Sequence, residues 1–323
     1  MTHAIKVHKT GGPEVLQWED IEVGAPKAGE IRLRQTAVGL NYIDVYHRTG
    51  LYPLPFPFVP GMEAAGIVEE IGEGVVDLKV GDKVVYASVM GAYTEARVIA
   101  ADRVVKIPAA IDDRTAAAMM LQGMTARYLL RDIYKVGPGD TILIHAAAGG
   151  VGLIVSQWAA ALGATVIGTV SSDEKAALAK ANGCHHPIVY TREDFHARLL
   201  EITGGEKLPV VYDSVGKDTF MKSLDCLRPR GIMVLFGSSS GPVPPFDLSL
   251  LSQKGSLMIT RPTLGTFVAN KRLLEENSAD LFEAVSSGKV KIHVNQTYPL
   301  MNAAQAHKDL EARKTTGSTV LTV

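Results

Sequence analysis

The sequence predicts an α/β protein in which a doubly wound parallel sheet follows a separate, antiparallel, barrel-like β domain. Three observations carry this reading. Up to about residue 120 the chain is built of short, alternating strands dense in turn residues. From Thr141 onward apolar strands alternate with helical patterns, and the first of those strands runs into a helix through the glycine-rich stretch Ala146-Ala147-Ala148-Gly149-Gly150-Val151-Gly152.

In chain order, the first half offers strands at Ile31 to Val38, Ala65 to Glu70, Lys83 to Ser88, Tyr93 to Ile99 and Val104 to Ile107, with the proline-rich Tyr52 to Pro60 among them. The second half offers Thr141 to His145, Thr165 to Val170, Ile188 to Tyr190, Pro209 to Asp213, Ile232 to Phe236 and Leu257 to Thr260. Six strands in βα alternation imply a parallel sheet covered by helices on both faces. After Arg261 the pattern returns to helix, about Ala269 to Ser286 and Asn302 to Arg313, and closes on a strand from Ser318 to Val323. No internal repeat or low-complexity segment interrupts this order.

Composition narrows the function classes. Lys and Arg number 33 against 34 Asp and Glu, a net charge of −1, so the chain lacks the basic surplus that neutralises phosphates along a nucleic acid. With 46% hydrophobic residues there is ample material for two cores. Two cysteines, Cys184 and Cys226, exclude a four-cysteine zinc lobe and any disulfide framework beyond one bridge, which fits a reducing cytoplasm. Met1 to Lys9 alternates apolar and polar residues with lysines at 6 and 9, and resembles neither a signal peptide nor a transit helix. No Asp, Glu, Lys or Arg occurs from Thr141 to Ser172, but glycines divide that run, and its helix, about Val151 to Leu162, would be roughly 18 Å long, too short to cross a bilayer.

The glycine-rich stretch lies where a dinucleotide fingerprint requires it, between an apolar strand and a helix that leads to a second strand. Gly149 and Gly150 let the main chain approach a pyrophosphate, Gly152 allows close packing of helix on strand, and the helix start at Val151 supplies N–H groups and a partial positive charge. An NAD site then places Asp or Glu after the second strand, for the ribose 2′-hydroxyl. Here Ser171-Ser172 follow Val170. Ser171, Lys175 one turn into the next helix and Tyr190 at the end of the third strand would accept a 2′-phosphate, which favours NADPH. Asp173 and Glu174 are the competing acids, read as a capped helix start that points them at solvent.

The stretches Gly11-Gly12-Pro13-Glu14-Val15-Leu16, Asn41-Tyr42-Ile43-Asp44, Gly50-Leu51-Tyr52-Pro53, Met62-Glu63-Ala64-Ala65-Gly66, Gly91-Ala92-Tyr93, His145 to Gly152, Tyr212-Asp213-Ser214-Val215-Gly216 and Gly255-Ser256-Leu257 together resemble the medium-chain dehydrogenase/reductase superfamily over essentially the whole chain. Within it they look like the NADPH:quinone oxidoreductases, the zeta-crystallin-like branch. The resemblance implies a GroES-like β-barrel catalytic domain at residues 1–124 and 264–323, a Rossmann dinucleotide-binding domain at residues 125–263, and a cleft between them. It implies a cytoplasmic homodimer formed through the nucleotide domain. It also implies that Asn41 and Tyr46 line the nicotinamide and acceptor pocket, that Tyr52 borders it, that Thr125, in the crossing segment with Gln122, Gly123 and Tyr128, binds near the nicotinamide or its ribose, and that Ser214, Phe236, Gly237 and Ser238 end strands at the cofactor.

Zinc-dependent members of the superfamily carry Cys and His where this chain has Asn41 and Met62, and an amide and a thioether do not replace them around Zn²⁺. No metal is therefore expected, and Cys184-His185-His186 is read as a polar surface loop. Three functions remain: hydride or electron transfer from NADPH to a quinone; hydride transfer to the β-carbon of an α,β-unsaturated carbonyl, with a proton from Tyr46 or water; or a non-catalytic NADPH-binding role, structural or RNA-binding.

Overall fold

The computed structural model describes residues 2–323. They form two compact units, one made of the described residues up to Met124 with Phe267–Ser286 and Ile292–Val323, the other of Thr125–Thr266 with Ser287–Lys291.

The first unit carries a seven-stranded sheet in the order Val294–Pro299, Ser318–Thr322, Glu30–Leu40, Glu63–Ile71, Lys83–Ala87 and Val105–Lys106, with Ala96–Ala100 paired to the other end of Glu30–Leu40. The long strand Glu30–Leu40 shows why it forms. Ile31 and Leu33 point into the core with Val68, Val84, Tyr86 and Leu321, while Arg32 and Arg34 face out and reach Glu69 at 3.5 and 3.2 Å. From Ala37 to Leu40 both faces are covered and the alternation stops. Gly39 is glycine because a Cβ there would lie 2.2 Å from the Ala117 carbonyl oxygen and 2.3 Å from Glu63 Oε1.

Besides the unexpected paired strands Thr2–Lys6 and Gln17–Ile21 at the N-terminus and the helix Tyr42–Thr49, three elements depart from the sequence reading. The strand Val294–Pro299 was not expected, and it pairs parallel to Ser318–Thr322 in an otherwise antiparallel sheet. None of its residues is fully buried, so it shows no apolar alternation. The expected strand from Tyr93 begins only at Ala96, because Ile5 N–H bonds the Tyr93 carbonyl at 2.8 Å and Thr94 bridges to Ala4 of the N-terminal hairpin. Helix Asp113–Tyr128 lacks an amphipathic stripe to announce it: Ala116 to Met120 are buried consecutively.

In the second unit the elements are β1 (Thr141–Ile144), α1 (Gly150–Ala161), β2 (Thr165–Val170), α2 (Asp173–Ala181), β3 (His186–Val189), α3 (Phe195–Thr203), β4 (Leu208–Asp213), α4 (Phe220–Asp225), β5 (Leu227–Leu235), α5 (Ser249–Gln253) and β6 (Met258–Thr260). All six strands are parallel, in the order β3-β2-β1-β4-β5-β6. The order reverses between β1 and β4, and a doubly wound sheet binds its ligand beside the carboxyl ends of the strands at that switch. Ile142, Leu143 and Ile144 are fully buried, as strands covered on both faces should be.

Cys184 corrects the surface-loop reading of Cys184-His185-His186. It is fully buried. A Cβ on Gly168 of β2 would come within 2.7 Å of its sulfur, and burial pushes the thiol up to about 12. His185 Nδ1 accepts the Val166 N–H at 3.0 Å, and His186 opens β3. Among the described residues no group of three or more His, Cys, Asp or Glu could hold a metal ion.

Candidate functional site

The turn between β1 and α1 is shaped by its glycines. Gly149 is the N-cap residue of α1, and no side chain caps the helix, so the first amides of its unblocked end, on Gly150, Val151 and Gly152, have no partner within the helix. A Cβ on Gly152 would lie 2.2 Å from the Ala146 carbonyl oxygen and 2.7 Å from Ala147 Cα, so helix and strand meet at a distance only glycine permits. A Cβ on Gly149 would meet one atom, the Ala146 oxygen, at 3.3 Å. Protein crowding explains glycine at 152 but hardly at 149; a bare backbone at an open helix start fits a bound pyrophosphate.

Beneath this turn lies a closed polar cluster. His145 shares hydrogen bonds at 2.8 Å with Thr169 Oγ1 through Nδ1 and with Ser223 Oγ through Nε2. Burial lowers its pKa and holds the ring neutral. Asp213 Oδ1 accepts the Val215 and Gly216 amides at 2.7 and 3.0 Å, and Oδ2 accepts Thr219 Oγ1 at 2.7 Å. Ser214, next in the chain, is thereby fixed at the end of β4.

The ends of β4 and β5 then touch backbone to backbone. A Cβ on Gly237 would sit 2.5 Å from the Ser214 carbonyl oxygen. Arg261 Nη1 donates to the carbonyls of Leu235 and Gly237 at 2.9 and 3.1 Å, and its Nη2 to Ser238 Oγ at 3.2 Å, so one guanidinium fixes the segment Phe236-Gly237-Ser238. The sequence reading used Arg261 only as a landmark. Thr125 is buried and hydrogen-bonds Tyr128, whose hydroxyl is held neutral by burial.

Ser171 and Tyr190 directly follow β2 and β3, and Lys175 lies in the first turn of α2. Tyr190 N–H bonds the Val170 carbonyl at 3.1 Å, and Thr191 Oγ1 bonds the Ser171 carbonyl at 3.2 Å. Ser172 caps α2, its Oγ accepting the Lys175 N–H at 3.3 Å. Asp173 is exposed, as expected, but its carboxylate is gripped by Arg192, whose Nη1 and Nη2 reach Oδ2 and Oδ1 at 2.7 and 2.5 Å. Nothing in the local sequence marks Arg192 as the partner of Asp173, 19 residues away.

In the first unit, Asn41 is the N-cap of helix Tyr42–Thr49, in a reciprocal capping box with Asp44. Its side chain is enclosed in a directional chain of hydrogen bonds. Ser318 Oγ lies 2.7 Å from Gln122 Oε1; Gln122 Nε2 donates to Asn41 Oδ1 at 3.1 Å; Asn41 Nδ2 donates to Glu63 Oε1 at 2.6 Å. Leu121 N–H closes the chain on Glu63 Oε2 at 2.7 Å. Glu63 is completely buried with no cation on it among the described residues, and desolvation raises its pKa to about 8. Asp44, also buried, is raised by desolvation to about 7, against hydrogen bonds from the Asn41 amide and from Tyr93 Oη at 3.0 Å. Asn41 and Glu63, which the sequence presents in two separate stretches, are parts of one buried network that only folding assembles.

Tyr46 lies one turn beyond Tyr42 on that helix, buried, with ring centroids 5.5 Å apart. Tyr52 stands edge-on to Tyr46 at 5.3 Å, and its amide bonds the Tyr46 carbonyl. Asn41, Tyr46 and Tyr52 thus share one helix and the loop that returns to it. Gly149, Gly150, Val151, Ser214, Phe236, Gly237, Ser238, Ser171 and Tyr190 lie along the carboxyl edge of the parallel sheet, with Lys175 one turn beyond.

Comparison with known proteins decides the family. Residues 27–109 match the alcohol dehydrogenase GroES-like domain and residues 150–283 the zinc-binding dehydrogenase family. A quinone oxidoreductase of Pseudomonas aeruginosa is 51% identical over 323 residues, covering 99% of each chain. The crystal structure of Escherichia coli quinone oxidoreductase complexed with NADPH superposes with a TM-score of 0.98 at 50% identity, covering all of both chains. The chain belongs to the quinone oxidoreductase family. A 2-haloacrylate reductase of Burkholderia is 49% identical over 99% of each chain, so this quinone oxidoreductase-family fold is also similar to one named for a different acceptor.

Proposed function

We propose that this chain reduces a quinone at the expense of NADPH. The observation that carries the reading is the end of β2: two serines, a lysine and a tyrosine beside it, and the nearest acid, Asp173, neutralised by Arg192. That set fits a 2′-phosphate better than a 2′-hydroxyl. Half identity over the whole chain to proteins named quinone oxidoreductases supports the acceptor.

When bound, NADPH supplies the hydride. The chain's own residues position and shield. The open start of α1 would hold the pyrophosphate, and Arg261 keeps Phe236, Gly237 and Ser238 in place. Ser171, Lys175 and Tyr190 would read the adenosine phosphate, Thr125 and Ser214 would lie toward the nicotinamide end, and Asn41, Tyr46 and Tyr52 would line the acceptor pocket. Asn41 acts by shape, because Gln122 and Glu63 fix its amide; Tyr46 and Tyr52 add flat aromatic walls. The oxygens of a reduced quinone take protons from water, so no dedicated acid is needed. Residues 125–263 form the dinucleotide-binding domain in this reading, and residues 1–124 with 264–323 the acceptor domain. No zinc takes part, because an amide and a thioether, Asn41 and Met62, stand where superfamily members carry ligands. The protein works as a homodimer in the cytoplasm, in keeping with its two free, buried cysteines.

The 2-haloacrylate reductase relative favours a second reading, in which hydride goes to an activated alkene and Tyr46 Oη supplies the proton. Loss of NADPH absorbance on adding benzoquinones, naphthoquinones, enones or 2-haloacrylates separates the two. Faster turnover on the alkenes moves the assignment to alkene reduction; no turnover on any acceptor leaves only an NADPH binder.

A further inference from the structure

The loop after β3 is tied to the loop after β2 at two points, Tyr190 N–H on the Val170 carbonyl and Thr191 Oγ1 on the Ser171 carbonyl, and a third bond, Arg192 N–H to the Val189 carbonyl at 3.1 Å, completes the turn. This places Arg192 across the start of α2. Both oxygens of the Asp173 carboxylate are occupied by its guanidinium, at 2.7 and 2.5 Å. Glu174, the other acid at this helix start, is held by the Ser172 hydroxyl and by its own backbone amide. A carboxylate just beyond the second strand is the group that accepts a ribose 2′-hydroxyl and repels a 2′-phosphate. Asp173 stands three residues past the end of β2, and Arg192 occupies it.

We propose that Arg192 is a specificity-determining residue: by engaging both oxygens of Asp173 it withholds from the ribose the one acid placed to accept a hydroxyl there, and it cancels a charge that would oppose a phosphate. The inference rests on the reading that NADPH is the cofactor. The pair is exposed, with side-chain accessibilities of 57% for Arg192 and 68% for Asp173. Such pairs contribute little to folding, so substitutions leave the protein folded.

Equilibrium binding tests it, by the fluorescence of bound NADPH and NADH and by calorimetry with 2′,5′-ADP, which needs no turnover. In Arg192→Gln the dissociation constants for NADPH and 2′,5′-ADP should rise about tenfold and that for NADH fall about twofold, because Asp173 is released. The loss should shrink as salt is raised from about 0.05 to about 0.5 M. Adding Asp173→Asn to Arg192→Gln should return NADPH to within about twofold of the wild type, since the unmasked acid is then gone. A loss that persists in the double variant overturns the inference and assigns Arg192 to direct contact with the phosphate. No loss in Arg192→Gln, in a protein that itself prefers NADPH, overturns it as well. A wild type that binds NADPH and NADH equally overturns the cofactor reading, and the inference with it.

Discussion

Replacing Glu63 by Gln asks what the buried carboxylate beside Asn41 does. In the wild type the carboxylate accepts from Asn41 Nδ2 and from Leu121 N–H. A Gln offers one acceptor and one donor, so if its carbonyl stays on Leu121 its NH2 faces Asn41 Nδ2. The conflict resolves if the whole chain reverses: Asn41 and Gln122 both flip, and Ser318 Oγ accepts from Gln122 while donating to the Ala118 carbonyl, 3.1 Å away. Every polar group is then satisfied, but the Asn41 amide points the opposite way. Stability at low pH, where the wild-type carboxyl also carries a proton, should therefore change by no more than about 1 kcal/mol, while kcat/KM for the quinone above about pH 8, where the wild-type group is a charged carboxylate, falls by about tenfold or more because the pocket wall is inverted.

The pH dependence gives an independent check. The folded pKa of Glu63 is raised from 4.5 to about 8, so the folded state holds a proton that the unfolded state releases, and stability falls as pH rises across that window. The rise corresponds to a ceiling of about 5 kcal/mol, and relaxation and water penetration lower it. Asp44, raised to about 7, adds a similar slope to both proteins. Urea unfolding at about pH 5 and pH 9 should find Glu63→Gln near or below the wild type at the lower pH and above it at the higher. A difference that does not move with pH would refute the buried, uncompensated carboxylate.

Lys175→Ala should weaken NADPH binding by roughly 1.5 to 3 kcal/mol and leave NADH little changed, as direct titration would show; equal losses would remove Lys175 from the phosphate site. Tyr46→Phe should retain quinone reduction within about tenfold, whereas Asn41→Ala should cost more; on an enone, loss of a proton donor would instead cost about 10² to 10⁴ in rate for Tyr46→Phe, so steady-state rates with both acceptors decide between the readings. Gly152→Ala, whose Cβ would lie 2.2 Å from a backbone oxygen, should lower stability by about 1–3 kcal/mol in thermal unfolding. Gly149→Ala, with one contact at 3.3 Å and φ of −81°, should keep stability within about 1 kcal/mol yet weaken NADPH; unchanged binding would refute the pyrophosphate assignment.

The strand–glycine turn–helix unit was fully legible in the sequence, because the steric demand at Gly152 and the apolar runs of β1 and β2 are local properties of the chain. The partners were not. Glu63 is 22 residues from Asn41 and Gln122 is 81; Arg192 lies 19 from Asp173. Nothing in the neighbourhood of any of them says whether its charge will meet water, a cation or an amide. Strand Val294–Pro299 was silent because it buries no full face, and helix Asp113–Tyr128 because Ala116 to Met120 are buried without a break. The sequence by itself determined the local geometry that a dinucleotide requires; which acids are neutralised, which amide is locked and which carboxylate is left without a cation were decided only when folding set distant side chains within hydrogen-bond reach.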